Sequence, residues 1–234
     1  LARPGRFRLM FGPLLSRAKA HPELDAASGA AFEALTRAAG GREAVLGFDT
    51  GPGNMLLDRA VQVLSQGALT YDKDGAWARA GRVNDRLLRK WMAEEPYFAQ
   101  KPPKSTGREL FGVQRCDGYL KECAGLSRED ILATLTAFTA RSTAEAYRNF
   151  LPRLPGEILL CGGGARNPMI GELLARELPA CRVGRTEDAG LPGDSKEAVA
   201  FAVLAYETVN RRPGNLPSAT GASAPVVLGS VTWG

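Results

Sequence analysis

An α/β fold is predicted by three features of the sequence: short apolar runs of strand length, longer stretches with apolar residues at helical spacing, and glycine or proline turns joining them. With 234 residues, 44% apolar and 24% charged, the chain can build one large domain or two small ones around a hydrophobic core, which argues against global disorder.

Within residues 1–44 an amphipathic helix is predicted around 26–39, but no motif there ties to chemistry. From Val45 the apolar run VLGF ends on Asp49. The turn TGPGN follows, then the periodic positions Met55, Leu56, Ala60, Val63 and Leu64, which reads as strand, turn, helix. Between Tyr71 and Gly107 the sequence is polar and broken by Gly and Pro, with a helix expected from Val83 to Met92 and then the loop KPPKSTGREL. Ser127 with Asp130 three residues later gives a capping box for a long helix with the stripe Ile131, Leu132, Leu135, Phe138, Tyr147 and Phe150, ended by Pro152 and Pro155. The stretch EILLCGGGARNPMIGELLARELPACRVGRT reads as strand, glycine turn, helix, strand. Asn167 suits the N-cap, and Pro168 the first helical position, where its missing N–H costs nothing. A last helix is expected from near Asp194 through Ala198, Phe201, Ala202, Leu204 and Val209, with a loop-like tail after Pro213.

Composition narrows the chemistry. The formal net charge of +5 is spread along the chain without a run of like charges, so it fits either attraction for a small anionic ligand or plain solubility, and not a nucleic-acid tail. Cys116, Cys123, Cys161 and Cys181 form neither a C-x-x-C pair nor a zinc-ribbon spacing, which predicts reduced thiols in a cytoplasmic protein. The single histidine, His21, argues against a Ser-His-Asp or Cys-His nucleophile. No apolar run approaches the roughly 20 residues that span a bilayer. The chain opens on Leu1 and not Met, and its start is expected not to be the natural one.

Four places invite a functional reading. Asp49 is a carboxylate at the end of an expected strand, where α/β folds place ligands, or else a cap for the next helix. Gly51, Pro52 and Gly53 make a tight turn, and Asn54 either caps that helix or touches a ligand. Gly162, Gly163 and Gly164 lead to Asn167 and a helix start, where free amides and the helix dipole favour an anion or nucleotide. A dinucleotide fingerprint would need glycine at Asn167, and no Walker loop exists in the chain. The KSTG of Lys104–Gly107 lacks the upstream glycine of a phosphate loop, so spacing favours an ordinary surface loop. Glu197, three residues after Asp194, is a local capping-box residue or a carboxylate at a cleft mouth, and spacing favours the cap.

Taken together, GFDTGPGN at 47–54, YDKDGAWARAGRV at 71–83, PPKSTGRELF at 102–111, CGGGARNP at 161–168, DSKEAVAFAVLA at 194–205 and NLPSATGA at 215–222 closely resemble, in order, the C-terminal part of the anhydro-N-acetylmuramic acid kinases. The resemblance covers 45–234 and leaves 1–44 as a segment of unassigned structure. It implies an actin-like, ribonuclease-H-like ATPase fold, mainly its C-terminal lobe, in a cytoplasmic homodimer that recycles peptidoglycan, with no nucleic-acid or membrane partner. The implied reaction hydrolyses the 1,6-anhydro ring of the amino sugar and moves the γ-phosphate of ATP, with Mg2+, to the sugar's O6. Carried over residue by residue, Asp49 becomes the catalytic base for the attacking water, Glu197 and Asn54 substrate contacts, and Gly162, Gly163, Gly164 and Asn167 nucleotide contacts. Lys104 and Arg108 are placed near the site, and the metal ligands are unassigned.

The family's glycine- and Ser/Thr-rich phosphate loop and second Gly-Gly turn find no match in residues 1–44. A truncated, inactive sugar- or nucleotide-binding module of the same family therefore stays open beside the kinase reading. An NAD-dependent enzyme built around Gly162, with Glu187 near the acidic position about 20 residues on, is outweighed by the ordered set of motifs.

Overall fold

The structure, a computed structural model, describes residues 45–190, 193 and 196–231. The helix expected around 26–39, His21 and Asp194 lie outside the described residues. Along the chain come α1 (Met55–Leu64), α2 (Ala76–Ala80), α3 (Asp85–Glu94), α4 (Arg108–Phe111), α5 (Val113–Glu122), α6 (Arg128–Phe150), β1 (Glu157–Leu160), α7 (Pro168–Glu177), β2 (Arg182–Arg185), α8 (Lys196–Val209) and α9 (Pro217–Thr220). β1 and β2 pair in a two-stranded sheet, so the fold is α/β with helices dominating among the described residues. It divides into two units, one of 49–154 with 160–183 and the other of 45–48, 155–159 and 184–231.

In the first unit α6 is the central element, packed against α1, α2, α3 and α7. Its stripe is buried from Ile131 to Tyr147 as the spacing predicts, with Leu132, Leu135 and Phe138 fully enclosed, and only Phe150 at its end is half-buried. Phe138 lies 5.9 Å from the Trp91 ring, 5.6 Å from Tyr119 and 5.5 Å from Phe98, within the range where aromatic pairs attract beyond their area. Buried threonines share this helix without cost in unpaired hydroxyls, because Thr134 and Thr136 donate to the carbonyls of Asp130 and Leu132, both at 2.7 Å.

The helix ends follow the capping rules in part. Ser127 Oγ accepts the Asp130 amide at 3.1 Å, but the expected reciprocal bond does not form, because Asp130 Oδ1 is taken by the Arg82 amide at 2.7 Å. The helix expected from Val83 begins at Asp85, since Asn84 Oδ1 accepts the Leu87 amide at 3.1 Å and fixes the cap there. Asn167 caps α7 through the Met169 amide at 3.0 Å, with Pro168 first in the helix.

Two expectations are corrected. The strand at 45–48 does not form, since among the described residues only β1 and β2 pair as strands, and an apolar run becomes a strand only when a neighbour takes up its backbone groups. α2 stands within the stretch 71–107 expected to be polar and broken, and α4 and α5 follow it at 108–122, where no helix is predicted. Their buried residues are Ala78, Phe111, Cys116 and Tyr119, too few and too spaced to register as a periodic stripe.

The second unit carries β1 as far as Leu159, the turn Thr186–Ala189, α8 and the tail. Asn215 organises the tail, its Nδ2 donating to the Ala224 carbonyl at 3.2 Å and its Oδ1 accepting the Val226 amide at 2.6 Å. α8 begins at Lys196, close to the expected start, and leaves Phe201 71% exposed and Val209 61% exposed. No helix among the described residues is long and apolar enough to cross a membrane.

Candidate active site

Asp49 is exposed, yet its polar groups are held from several sides. Its amide donates to the Lys104 carbonyl at 3.1 Å, and its carbonyl accepts the Tyr97 hydroxyl at 2.9 Å. Its Oδ2 accepts both the Ser105 hydroxyl and the Thr106 amide, each at 2.9 Å. These bonds remove one of the two readings left open by spacing: the Asp49 carboxylate serves the loop at 104–106 and does not cap α1. Oδ1 has no hydrogen-bond partner among the described residues.

The loop that holds it is fixed in turn. Lys104 is only 9% exposed, and its ammonium donates to the carbonyls of Tyr97 at 3.1 Å and Phe98 at 3.4 Å. The same nitrogen lies 4.6 Å from the ring centres of both Tyr97 and Phe150, a cation–π arrangement. Desolvation pushes its pKa down from the ordinary lysine value. The segment 104–107 is a loop with Ser105 exposed, as spacing favours, but its Lys104 is buried and anchors it. Burial, then the negative charges of Asp49 and Glu109, push the Tyr97 phenol up to about 12, so it stays a donor to the Asp49 carbonyl at neutral pH.

The turn after Asp49 rests on a hydroxyl face of α6. Thr139 Oγ1 donates to the Gly53 carbonyl at 3.0 Å, and Thr50 Oγ1 lies 3.3 Å from Thr143 Oγ1. A Cβ on Gly51 would fall 2.6 Å from Ser142 Oγ, so glycine is what lets the turn approach the helix. Asn54 precedes α1, but its side chain makes no capping bond. Its amide faces the second glycine turn instead: a Cβ on Gly163 would lie 3.0 Å from Asn54 Nδ2, and one on Gly164 3.2 Å from Asn54 Oδ1. The glycine turns at 51–53 and 162–164 thus meet through Asn54.

Gly162 has φ 71 and opens onto free space where a side chain would point. The start of α7 is not the open amide cluster expected there. Asn167 takes the Met169 amide with its side chain and the Ile170 amide with its carbonyl at 3.1 Å. Of the three glycines only Gly162 opens onto free space, since the Asn54 side chain lies where side chains on Gly163 and Gly164 would point. Arg108 is exposed at the start of α4, just past Thr106. Glu197 falls in the first turn of α8, and its side chain lies outside what the structure describes. Among the described residues no three His, Cys, Asp or Glu side chains gather to hold a metal.

Sequence reasoning missed Tyr97, Ser105, Thr106 and the hydroxyls of Thr139, Ser142 and Thr143. A run of small hydroxyl residues on one stretch of a buried helix was the available signal for the last three.

The family described as anhydro-N-acetylmuramic acid kinase matches residues 34–234. Proteins named anhydro-N-acetylmuramic acid kinase resemble the chain at 50% identity in Synechococcus elongatus, over 80% of this chain and 50% of the relative. Those of Synechocystis sp., at 49% over 81% of this chain and 50% of the relative, and Microcystis aeruginosa, at 50% over 81% and 51%, are similar to the same degree. The chain spans about half the length of these curated relatives. By the extent of that match, it belongs to the anhydro-N-acetylmuramic acid kinase family.

Proposed function

We propose that the chain carries the base and the nucleoside-side glycine turn of an ATP-dependent kinase that opens 1,6-anhydro-N-acetylmuramic acid and phosphorylates it at O6. The observation that carries this reading is the Asp49 carboxylate, with Oδ2 fixed by two donors and Oδ1 left to face a reactant. Oδ1 takes a proton from water, and the water oxygen bonds to the anomeric carbon as the bond from that carbon to O6 breaks. The released O6 then attacks the γ-phosphorus of ATP, ADP leaves with the electron pair of the broken bond, and Asp49 returns its proton to solvent. A base so placed contributes on the order of 10²–10⁴-fold.

Gly162, Gly163, Gly164 and Asn167 would line the nucleoside, with Asn54 joining that surface to the sugar side, and Glu197 would contact sugar hydroxyls. Magnesium, which the reaction class uses to neutralise the β- and γ-oxygens, would ride on the nucleotide, since the described residues offer no cluster for it. An actin-like fold, of which these residues form mainly the C-terminal lobe, a cytoplasmic location, a homodimer and a role in peptidoglycan recycling complete the proposal.

The test is to incubate the chain with magnesium-ATP and 1,6-anhydro-N-acetylmuramic acid in ¹⁸O-labelled water and weigh the product. A phosphorylated sugar with one heavy oxygen is expected, and no product would refute the reading for this chain. In an active preparation Asp49→Asn should lose about 10²-fold or more in turnover with ATP binding kept. Retained turnover would sink the base assignment.

A further inference from the structure

A carboxylate that must take a proton from water works only if one oxygen faces that water, and an exposed aspartate left to itself rotates freely about its side-chain torsions. Asp49 is exposed, so its orientation has to come from partners. Its main chain is pinned at the amide by Lys104 and at the carbonyl by Tyr97. Neither bond sets the carboxylate. The Thr106 amide reaches Oδ2 at 2.9 Å, but one donor leaves the group free to pivot around that bond. The Ser105 hydroxyl, also 2.9 Å from Oδ2, is the second donor, and two donors on one oxygen fix which oxygen is left over.

We propose that Ser105 is a positioning residue for Asp49: its hydroxyl and the Thr106 amide hold Oδ2, so that Oδ1 is the oxygen presented to the reactant, while buried Lys104 keeps the loop in register. The idea rests on the kinase reading for its catalytic consequence, and on geometry alone for the contact. Lys104 acts one step back. Its ammonium ties the loop to the Tyr97 and Phe98 carbonyls, and the residues it ties are the ones that reach Asp49. A serine in a loop two residues before a glycine would otherwise be read as solvent-facing.

Ser105→Ala removes one donor and leaves the Thr106 amide in place, so folding should be little affected. In the chain labelled with ¹³C at aspartate carboxyls, the Asp49 side-chain resonance should move and broaden in Ser105→Ala, and the Thr106 amide should exchange faster with solvent. Ser105→Thr, which keeps a hydroxyl, should return both signals toward those of the unaltered chain. In turnover, Ser105→Ala should lower kcat by about 10- to 100-fold, the scale on which misplacement of a reacting group acts. KM for both substrates should stay within about twofold, and Ser105→Thr should recover most of the loss. A merely structural serine would instead change KM and kcat together and show no rescue by threonine.

An Asp49 resonance that ignores Ser105→Ala overturns the proposal whatever the turnover, and so does an unchanged kcat in that variant. Absence of turnover in the unaltered chain would count against the kinase reading, and the resonance arm would then decide the positioning by itself.

Discussion

Alanine at position 75 should destabilise the fold through a neighbour nearly a hundred residues away. Asp74 and Gly75 form a left-handed pair, with φ 56 and φ 65, and a Cβ on Gly75 would fall 2.3 Å from Asn167 Oδ1 and 3.0 Å from Met169 Cγ. Left-handed backbone costs a residue with a Cβ about 1–2 kcal/mol. Pushing Asn167 aside also loses its bond to the Met169 amide, an N-cap worth about 1 kcal/mol. Gly75→Ala should therefore cost about 2–3 kcal/mol, and Asn167→Ala alone about 1 kcal/mol. In the double variant the cap is lost only once and no Oδ1 remains to collide with, so the total should stay at about 2–3 kcal/mol, some 1 kcal/mol short of additive. Urea unfolding measures this directly. With a slope of about 2 kcal/mol per M, the midpoint should fall by about 1–1.5 M in Gly75→Ala and in the double variant, and by about 0.5 M in Asn167→Ala. Strict additivity would refute the claim that Gly75 and Asn167 share one interaction.

Glycine to alanine should act with opposite sign at two other positions. Gly118, exposed within α5 with nothing near its would-be Cβ, should give about 0.5–1 kcal/mol of added stability as alanine. Gly81→Ala, whose Cβ would sit 2.0 Å from the Glu129 carbonyl oxygen, should lose about 1–3 kcal/mol. The same urea assay reads both, and equal effects would refute the packing argument. Alkaline pH should weaken the fold. Burial pushes Cys116 and Cys123 up to about 12 and about 11 from 9.0, and Tyr97, Tyr119 and Tyr147 up to about 12 from 10.0. The folded chain thus holds more protons than the unfolded one once pH exceeds the unfolded values, so this stability is complete below them and is lost as pH rises through the folded ones. The urea midpoint should be level up to about pH 8.5 and lower at about pH 10.5, and a level midpoint across that span would refute the assignment.

What could be read from the sequence was what nearest neighbours decide. Ser127, Asn167 and Pro168 sit where caps belong and act as such, because a cap bond closes within three residues. The stripe of α6 could be read because a helix repeats its buried face every turn. α5 hides its face in Cys116 and Tyr119, with Cys123 just past its end also buried, two thiols and a phenol that composition counts as chemistry before it counts them as core. The run at 45–48 met every local condition for a strand and is not one, since pairing is a property of two segments and spacing describes only one.

The same limit governs the site. Seen alone, Asp49 and Asn54 each read either as a cap or as a ligand contact, and local spacing had nothing further to weigh. The bonds that decide Asp49 are to Tyr97, 48 positions away, and to Ser105 and Thr106, 56 and 57 positions away. Asn54 is decided by glycines more than a hundred residues on. None of these partners has a charged or unusual side chain aimed at Asp49 that a motif could announce; they are a phenol, a hydroxyl and a main-chain amide in a loop. A carboxylate held this way gains its orientation from groups that contribute little charge of their own. Removing one should therefore disturb direction more than affinity, which is why a split between kcat and KM is the informative measurement at Ser105.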